Sequence, residues 1–374
     1  MISVENFYYV IYTHLLSKNK ITDNFFYPFG STNLIGNYFL SDYSKNRCFF
    51  YDQEPILKEI YYNTYWVSMT KNINIFANSE HSKLKDEICK SEKLSDWYYF
   101  YHGFASHDWF RDCRYFEEIP WTKPFLTMNR LCTGDRSYRL LLVTELIERN
   151  IAEHGLVSLH INNQDNKDLR TELLSNSLLS SNSKVKIAKT IKEDWIIDQP
   201  NLLGSASAKV GPEEWKLWCS AFVHVVTETV FFHEKQHLTE KIFKPIVSGR
   251  PFMLVGAATN LDYLRSYGFK TFDRWWSEDY DLETDHERRI SMIVHELERF
   301  ISQPEWRLQE IYNEMSSILE YNRQHFWGEF KSIIINELVD NFESCLKIWN
   351  NGRVDDRKLN LKIYDFDNIK KVLL

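Results

Sequence analysis

The sequence predicts an α/β fold built from two Rossmann-like domains that face a central cleft. Short apolar runs alternate with helical segments along the chain, which is the pattern of a largely parallel sheet covered by helices. A length of 374 residues exceeds one ordinary hydrophobic core and suits two domains of moderate size. The apolar fraction of 44% is sufficient to build both cores.

Residues 1–120 form the predicted N-terminal domain. It contains a predicted helix at residues 4–17 and predicted strands at residues 47–51, 72–77 and 97–101. Because ligands bind beyond the carboxyl ends of parallel strands, polar residues at several strand ends indicate a binding edge. Such residues follow all three strands, in the sequences DQEP, NSEH and HG.

A proline-containing stretch at residues 117–124 resembles a linker, and residues 121–340 form the predicted C-terminal domain. Residues 341–374 form a helical tail that is predicted to pack back on the first domain. The predicted strands of the second series are 125–128, 156–160, 221–226, 252–255 and 271–272, and the predicted helices are 135–149, 213–219, 240–248, 261–267, 286–301, 304–321 and 326–349.

The segment LTEKIFKPIVSG, residues 238–249, places an acid and a base in the first turn of a predicted helix. Thr239 is a suitable N-cap, and Gly249 stands where a glycine ends a helix. Amides of the first turn bind anions, Lys241 adds a charged donor for phosphate, and Glu240 can accept hydrogen bonds from a ribose. The alternative is that Glu240 only complements the helix dipole while Lys241 is solvated. Pro245 predicts a kink.

Other charged and polar residues are predicted at the same edge of this domain. Glu228 follows the strand at 221–226, and Asn129 follows the strand at 125–128. Arg136 and Arg139 stand at the start of the next helix. Two strand ends, a helix start and an arginine pair therefore converge on one edge.

This arrangement resembles the donor-binding half of fucosyltransferase-type glycosyltransferases with the GT-B fold. The resemblance implies that residues 121–340 form the donor-binding domain and residues 1–120 the acceptor-side domain. The matching stretches are VVTET at 225–229, LTEK at 238–241 and the segment from 125 to 139, so the resemblance covers roughly residues 125–272. The words KPI, NLDYLR and DQEP are similar to those of uncharacterised glycosyltransferases of bacteriophages and bacteria.

The resemblance implies a role for each matching residue. Lys241 and Arg139 would hold the diphosphate of a nucleotide sugar, Glu240 would bind its ribose, and Glu228 would act near the donor sugar. Asn129 and Arg136 complete the predicted donor-binding set. The chain departs from the family pattern after Glu228, where Thr-Val replaces Asn-Ser, and in a longer loop and the helix proline, so fucose is not inferred.

An inverting enzyme also needs a base that deprotonates the acceptor hydroxyl. Asp52 and Glu54 are the favoured candidates, because Pro55 favours an extended and defined conformation at Glu54. A retaining enzyme would need no such base. The other candidates for the base are Glu80, His81, His102, His107 and Asp108.

Composition narrows the classes of function. The net charge of −7 provides no overall positive field for a polyanion. Six cysteines without a C-x-x-C spacing argue against a zinc site or a disulfide framework, and they favour a reducing cytoplasm, which is the host cytoplasm if the gene is viral. No signal peptide and no membrane span are predicted. The letters DYD at 279–281 match a metal motif, but the segment is interpreted as a solvated acidic loop, and no metal or cofactor is expected.

The leading hypothesis is an inverting, metal-independent glycosyltransferase with a nucleotide sugar as donor. A sugar-nucleotide epimerase is less favoured because no G-x-G-x-x-G follows a first strand. A non-catalytic carbohydrate or nucleic-acid binding protein is the alternative from another class. The acceptor is a glycan or, if the gene is viral, a modified DNA base, for which the lysine-rich strip at 184–192 would track phosphates.

Overall fold

The computed structural model describes residues 4–19, 21–25, 47–56, 75–161, 168–197, 210–351 and 358–374, and it shows a mixed α/β fold with parallel sheets. The chain divides into two compact units. The first contains Met1–Asp108 and Gly328–Leu374, and the second contains Trp109–Trp327. These divisions fall after residues 108 and 327, whereas the sequence places its boundaries after 120 and 340.

The first unit contains a parallel sheet in the order β1-β2-β3-β5. Its strands are β1 (Thr22–Phe25), β2 (Arg47–Tyr51), β3 (Ile75–Asn78) and β5 (Ser95–Tyr98), and β4 (His81–Ser82) is a separate two-residue strand. Its helices are α1 (Val4–Ile11), which a π-helical turn extends to Leu16, α2 (Lys83–Ser91), α3 (Tyr101–Trp109), α12 (Glu329–Asn351) and α13 (Phe366–Leu373).

Helix α12 packs against strand β5 and joins the end of the chain to the first unit. The buried indole of Trp97 donates a hydrogen bond to the carbonyl of Leu338 at 3.0 Å, and its ring lies 4.7 Å from the ring of Phe342. The chain therefore returns to this unit at Gly328, earlier than the predicted tail. Paired aromatic rings of this kind bury a large apolar area.

The second unit contains a parallel sheet in the order β10-β8-β6-β7. Its strands are β6 (Lys123–Thr127), β7 (Leu156–Val157), β8 (Ala221–Thr227) and β10 (Phe252–Val255), with β9 (Lys235–Gln236) outside this sheet. Its helices are α4 (Tyr138–Glu148), α5 (Leu169–Ser175), α6 (Ser181–Thr190), α7 (Pro212–Cys219), α8 (Glu240–Ser248), α9 (Asn260–Ser266), α10 (His286–Ile301) and α11 (Glu305–Trp327).

The order of these strands creates a topological switch point between β6 and β8. The chain passes from β6 to β7 on one side, and then crosses back to β8 and β10 on the other side. Every residue of β8 is buried, as expected for a central parallel strand covered on both faces. In open parallel sheets, a ligand crevice lies beyond the carboxyl ends of the strands at such a point.

Three predicted elements differ from the structure. Residues 271–272 form no strand, because the backbone amide of Phe272 donates to the Glu278 carboxylate at 2.8 Å. The predicted strand at 97–101 ends at Tyr98, and helix α3 starts at Tyr101. Strand β7 covers only Leu156–Val157 of the predicted 156–160, and Leu159 instead bridges Trp195 in antiparallel fashion.

Candidate functional site

The carboxyl ends of β6 and β8 are joined directly at the switch point. The Thr227 hydroxyl donates to the carbonyl of Met128 at 3.0 Å. Asn129 follows β6 and Glu228 follows β8, so the two residues predicted at these strand ends lie at one edge of the sheet. We call the group formed by Asn129, Glu228 and residues 239–241 the switch-point edge.

Glu228 is fully buried and holds the beginning of helix α8. Its carboxylate accepts a hydrogen bond from the Thr239 hydroxyl at 2.6 Å and bonds from the backbone amides of Thr239 (3.2 and 3.3 Å) and Thr229 (3.3 Å). Burial raises the pKa of Glu228, and the nearby charge of Lys241 acts against that rise. The geometry therefore makes Glu228 a positioning residue, while its predicted catalytic role stays a prediction.

Helix α8 is defined at both ends. Thr239 is its N-cap, and the side chain accepts from the Lys241 amide at 3.5 Å. Gly249, with φ of 64°, ends the helix in the left-handed conformation that glycine adopts without strain. The amide of Arg250 bonds to the carbonyl of Pro245 at 2.8 Å and the amide of Gly249 bonds to Ile246, which is a Schellman motif. Pro245 thus lies within a continuous helix.

Glu240 and Lys241 form a contact in the first turn of this helix. The Lys241 ammonium lies 3.1 Å from the Glu240 carboxylate, 3.1 Å from the Thr239 hydroxyl and 3.4 Å from the Thr229 hydroxyl. The Lys241 side chain is 29% exposed, whereas that of Glu240 is 7% exposed. Lys241 is therefore a partly exposed cation, and its ammonium is held by the Glu240 carboxylate and two threonine hydroxyls.

Arg139 is buried and connects the two loops that follow β6 and β8. Its guanidinium donates to the carbonyls of Leu131 (2.9 Å), Thr227 (3.0 Å) and Glu228 (3.1 Å), and Nε lies 3.4 Å from the Tyr138 hydroxyl. These bonds commit most of its donors to the protein itself. Arg139 therefore holds the two loops together in this structure, and its contact with a diphosphate stays a prediction.

Asn129 and Arg136 have different environments. Asn129 is fully buried, and its amide nitrogen donates to the carbonyl of Ser158 at 3.0 Å. Its side-chain oxygen has no hydrogen-bond partner among the residues that the structure describes. Arg136 lies in the short 3₁₀ turn Gly134–Arg136 and is partly exposed. Asn129 is therefore a buried member of the switch-point edge, whereas Arg136 is a partly exposed residue of a short turn.

A second cluster lies at the carboxyl end of β2 in the first unit. The buried Asp52 carboxylate accepts bonds from the hydroxyls of Tyr8, at 3.0 Å to each oxygen, and of Tyr99. Gln53 donates to the Tyr8 hydroxyl at 2.8 Å. Burial raises the pKa of Asp52 to about 6, although the tyrosine hydrogen bonds lower it. We call Tyr8, Asp52 and Tyr99 the tyrosine–aspartate cluster.

The other base candidates of the first unit are spread over several environments. Glu54 is half-buried. Glu80 is buried and accepts from the Ile56 amide at 2.7 Å and from the Ser82 hydroxyl, so it supports a loop. His102 lies 2.8 Å from the carbonyl of Gln53, which brings it near the cluster.

The remaining candidates are His81, His107 and Asp108, and their surroundings differ from one another. The His81 ring stacks on Tyr98 at 3.9 Å, and burial lowers its pKa. Burial lowers the pKa of His107 to about 3, so this ring is neutral at physiological pH. Asp108 is half-buried. The Asp52 carboxylate is held by two tyrosine hydroxyls.

The acidic segment at 279–281 differs from its interpretation as a solvated run. Asp279 is exposed, but Tyr280 and Asp281 are buried. Both Asp281 oxygens lie 3.1 Å from the Leu261 amide, at the start of α9. Among the described residues, no group of three or more histidine, cysteine, aspartate or glutamate side chains is arranged to hold a metal ion. In the same part of the chain, every helix is too short or too polar to cross a bilayer.

Comparison with protein-family models, curated proteins and solved structures gives no match to this chain. Two features of the sites were missed from the sequence. Tyr8 and Tyr99 lie 44 and 47 residues from Asp52, so no local spacing connects them. The bond between Glu228 and Thr239 spans 11 residues across a loop, although both residues belong to segments that the sequence singles out.

Proposed function

We propose that this protein is a glycosyltransferase of the GT-B type that transfers a sugar from a nucleoside-diphosphate donor. The main support is the first turn of α8, which holds Glu240 and the partly open Lys241 beside the switch point of a parallel sheet. Helix starts at this position attract phosphate through their amides and their dipole. The resemblance of the LTEK segment to fucosyltransferase-type enzymes points to the same chemistry.

Lys241 has the central role in this proposal. Its ammonium donates charge-assisted hydrogen bonds to the diphosphate. It also stabilises the negative charge that develops on the diphosphate as the bond to the sugar breaks. Glu240 accepts hydrogen bonds from the ribose hydroxyls. Glu228 acts through Thr239, whose hydroxyl it binds at 2.6 Å, and so fixes the helix start that carries both residues.

Asp52 is the proposed base for an inverting reaction, since GT-B enzymes take this base from the first domain. Its carboxylate removes the proton from the acceptor hydroxyl while that oxygen attacks the anomeric carbon and the bond to the diphosphate breaks. With a pKa of about 6, Asp52 is ionised near neutral pH and is a stronger base than an ordinary aspartate. Two tyrosine hydroxyls orient it.

The proposed acceptor is a glycan hydroxyl. A DNA acceptor would be favoured by a continuous row of unpaired cations, and the strip at 184–192 is a poor example of one. Most of it lies in helix α6, where Lys186 is paired with Glu145 and with Glu148 at 2.8 Å. Lys186 is paired with two carboxylates in the middle of a helix, whereas Lys241 has one carboxylate partner and lies in the first turn of α8, where the helix start also favours an anion.

The test is a screen of nucleoside-diphosphate sugars for hydrolysis and for binding of the nucleoside diphosphates by calorimetry. We expect one nucleotide to bind the wild type, and Lys241→Ala to weaken it by about 10- to 100-fold, the effect of one charged hydrogen bond. Lys216→Ala, at an exposed position on α7, is the matched control and should bind like the wild type. If no nucleoside diphosphate binds the wild type, the proposal fails.

A further inference from the structure

A polar cavity of about 640 Å³ lies in the second unit beside the edge strand β10. The segment that lines it is anchored to this strand, because the Leu254 amide donates to the Tyr280 hydroxyl at 3.4 Å. Strand β8 pairs with the other edge of β10, so β10 and β8 separate this bond from β6. The cavity is therefore distinct from the switch-point edge, and its volume is in the range of small-ligand sites.

The charges of the cavity do not favour an anion. Three arginines and five carboxylates line it. Arg265 already donates to Asp262 at 2.6 Å and to Glu278. Arg299 donates to Glu296 at 2.6 Å. An anionic ligand would meet mainly neutralised arginines and additional carboxylates, which oppose its binding.

The cavity does not favour a metal cation either. Glu278 accepts the Phe272 amide at 2.8 Å, and Asp281 accepts the Leu261 amide at 3.1 Å, so the two buried carboxylates serve the backbone. In the described parts of the chain, no three carboxylate, histidine or cysteine side chains converge as ligands. An uncharged polar molecule fits these largely paired charges, and an organic cation, which the five carboxylates would also attract, is distinguished from it in the test.

Two neighbouring tryptophans line the same cavity. Trp275 is partly exposed, and the Arg274 guanidinium lies 5.4 Å from its ring centre. Trp276 is 1% exposed, and its indole N–H has no acceptor among the described residues. A buried donor without a partner is uncommon, but this N–H is closed to solvent, so Trp275 is the tryptophan that a ligand in the cavity can reach.

We propose that this cavity binds a neutral sugar unit of a glycan chain. A sugar presents neighbouring hydroxyls that both donate and accept hydrogen bonds, and the exposed Arg274 guanidinium shares the cavity lining with the exposed carboxylates of Asp273 and Asp279. The flat Trp275 ring supplies an apolar face for the C–H side of the sugar. This inference goes beyond the proposed function and does not depend on it, because a glycan can bind here whether or not the switch-point edge transfers a sugar.

The test is titration of the full-length protein with neutral hexasaccharides of glucose and of N-acetylglucosamine, in several linkages, followed by calorimetry and ligand-observed NMR. At least one should bind, and Trp275→Ala and Asp279→Asn should each weaken binding about tenfold or more. Trp306→Ala removes a tryptophan that is 65% exposed and lies outside the cavity lining, so it should leave binding unchanged.

Three results would overturn the inference. The first is that no hexasaccharide binds at millimolar concentration, and the second is that Trp275→Ala and Asp279→Asn both bind like the wild type. The third is that a sulfated or an amino-substituted hexasaccharide binds more tightly than its neutral parent, because the cavity would then favour a charged ligand. Asp279 is exposed, so Asp279→Asn is expected to fold even if Trp275→Ala does not. The Lys241→Ala variant should bind these sugars normally, which separates this test from that of the proposed function.

Discussion

The two sheet edges of this protein use charge in opposite ways. At the switch-point edge of the second unit, a buried carboxylate, Glu228, fixes a helix start that presents a partly open cation, Lys241. At the tyrosine–aspartate cluster of the first unit, Asp52 is itself the buried charge, and two tyrosine hydroxyls surround it. One edge suits the binding of an anion, and the other suits a carboxylate with an altered proton affinity.

The two sites stabilise a buried carboxylate in different ways. Burying a carboxylate is unfavourable unless hydrogen bonds compensate it. Glu228 receives backbone amides and a hydroxyl, and Lys241 supplies a nearby positive charge. Asp52 receives neutral tyrosine hydroxyls, and burial still raises its pKa to about 6. From this contrast we predict a structural role for Glu228 and a chemical role for Asp52, and the two roles can be tested separately.

The largest expected effect is on the rate of transfer in the Asp52→Asn variant. If Asp52 is the base, its removal should lower kcat by about 10²- to 10⁴-fold, the usual contribution of a positioned general base. Asparagine has nearly the same shape and can still bond to the tyrosine hydroxyls, so the fold should persist. The measurement is kcat with the donor and acceptor found by screening, together with thermal unfolding.

The control for this variant is Glu54→Gln, which changes the other favoured acid in the same segment. It should retain a rate close to that of the wild type. The wild-type rate should also fall as the pH drops through about 6, because Asp52 then becomes protonated. A rate in Asp52→Asn within a few fold of the wild type would remove Asp52 as the base.

The second effect is on stability in the Glu228→Ala variant. Thr239 and Thr229 would each lose the acceptor of a buried amide, and Thr239 would also lose that of its hydroxyl. We expect the free energy of unfolding to fall by about 3 kcal/mol, within the range for breaking a buried hydrogen-bond network. Urea denaturation measures this change, and Glu228→Gln, which retains an acceptor oxygen, should lose less. Equal losses in both variants would contradict the proposed network.

The third effect is the pH dependence of stability. The pKa of Asp52 is raised by burial from 3.8 to about 6, so the folded state binds this proton more tightly than the unfolded state. The resulting stability is fully present below about pH 4 and is lost as the pH rises through about 6. At about 1.4 kcal/mol for each pKa unit, the loss amounts to roughly 3 kcal/mol at most.

This pH effect is measured by urea unfolding of the wild type and Asp52→Asn between about pH 4 and pH 7. The wild type should lose stability relative to the variant across this interval. Asp281, whose pKa is also raised to about 6, titrates in both proteins and therefore cancels in the comparison. Parallel pH profiles of the two proteins would show that Asp52 has an ordinary proton affinity.

The comparison of the two sites also explains which parts of the fold and of the sites could be predicted from the sequence. The α/β class and the second-unit strands β6, β8 and β10 follow from apolar runs and their spacing, which are local signals. The start of α8 was predictable for the same reason, because its cap, acid and base are consecutive in the chain. The tyrosine–aspartate cluster was not, since folding alone brings Tyr8 and Tyr99 to Asp52.

Arg139 and Asp281 show a second limit of sequence reasoning. The resemblance assigns Arg139 to the diphosphate of the donor, and the structure adds bonds from its guanidinium to three backbone carbonyls, which the sequence does not reveal. Asp281 lies in a run of acids that reads as solvated, and yet it accepts an amide at the start of α9. Charge type is visible in a sequence, whereas the partner that neutralises or satisfies a side chain depends on tertiary packing.

The smallest expected effect is in the Thr239→Ala variant. This variant tests whether the N-cap of α8 also positions Lys241 for the nucleotide. The hydroxyl caps the Lys241 amide, donates to Glu228 at 2.6 Å and lies 3.1 Å from the Lys241 ammonium. Loss of an N-cap should cost about 1 kcal/mol of stability. It should also weaken nucleoside-diphosphate binding by a few fold, because Lys241 loses one of the groups that holds it. Calorimetry and urea denaturation measure the two effects.

The matched control is Ser180→Ala, which removes the N-cap of α6, where the serine side chain accepts from the Ser183 amide at 3.1 Å. It should cost a similar amount of stability, about 1 kcal/mol, and leave nucleotide binding unchanged. Thr239→Ser retains the hydroxyl and should restore both properties. If Thr239→Ala lost stability but bound the nucleotide as tightly as the wild type, the chain of contacts from Glu228 through Thr239 to Lys241 would be structural only, and the edge would not be tuned for a phosphate.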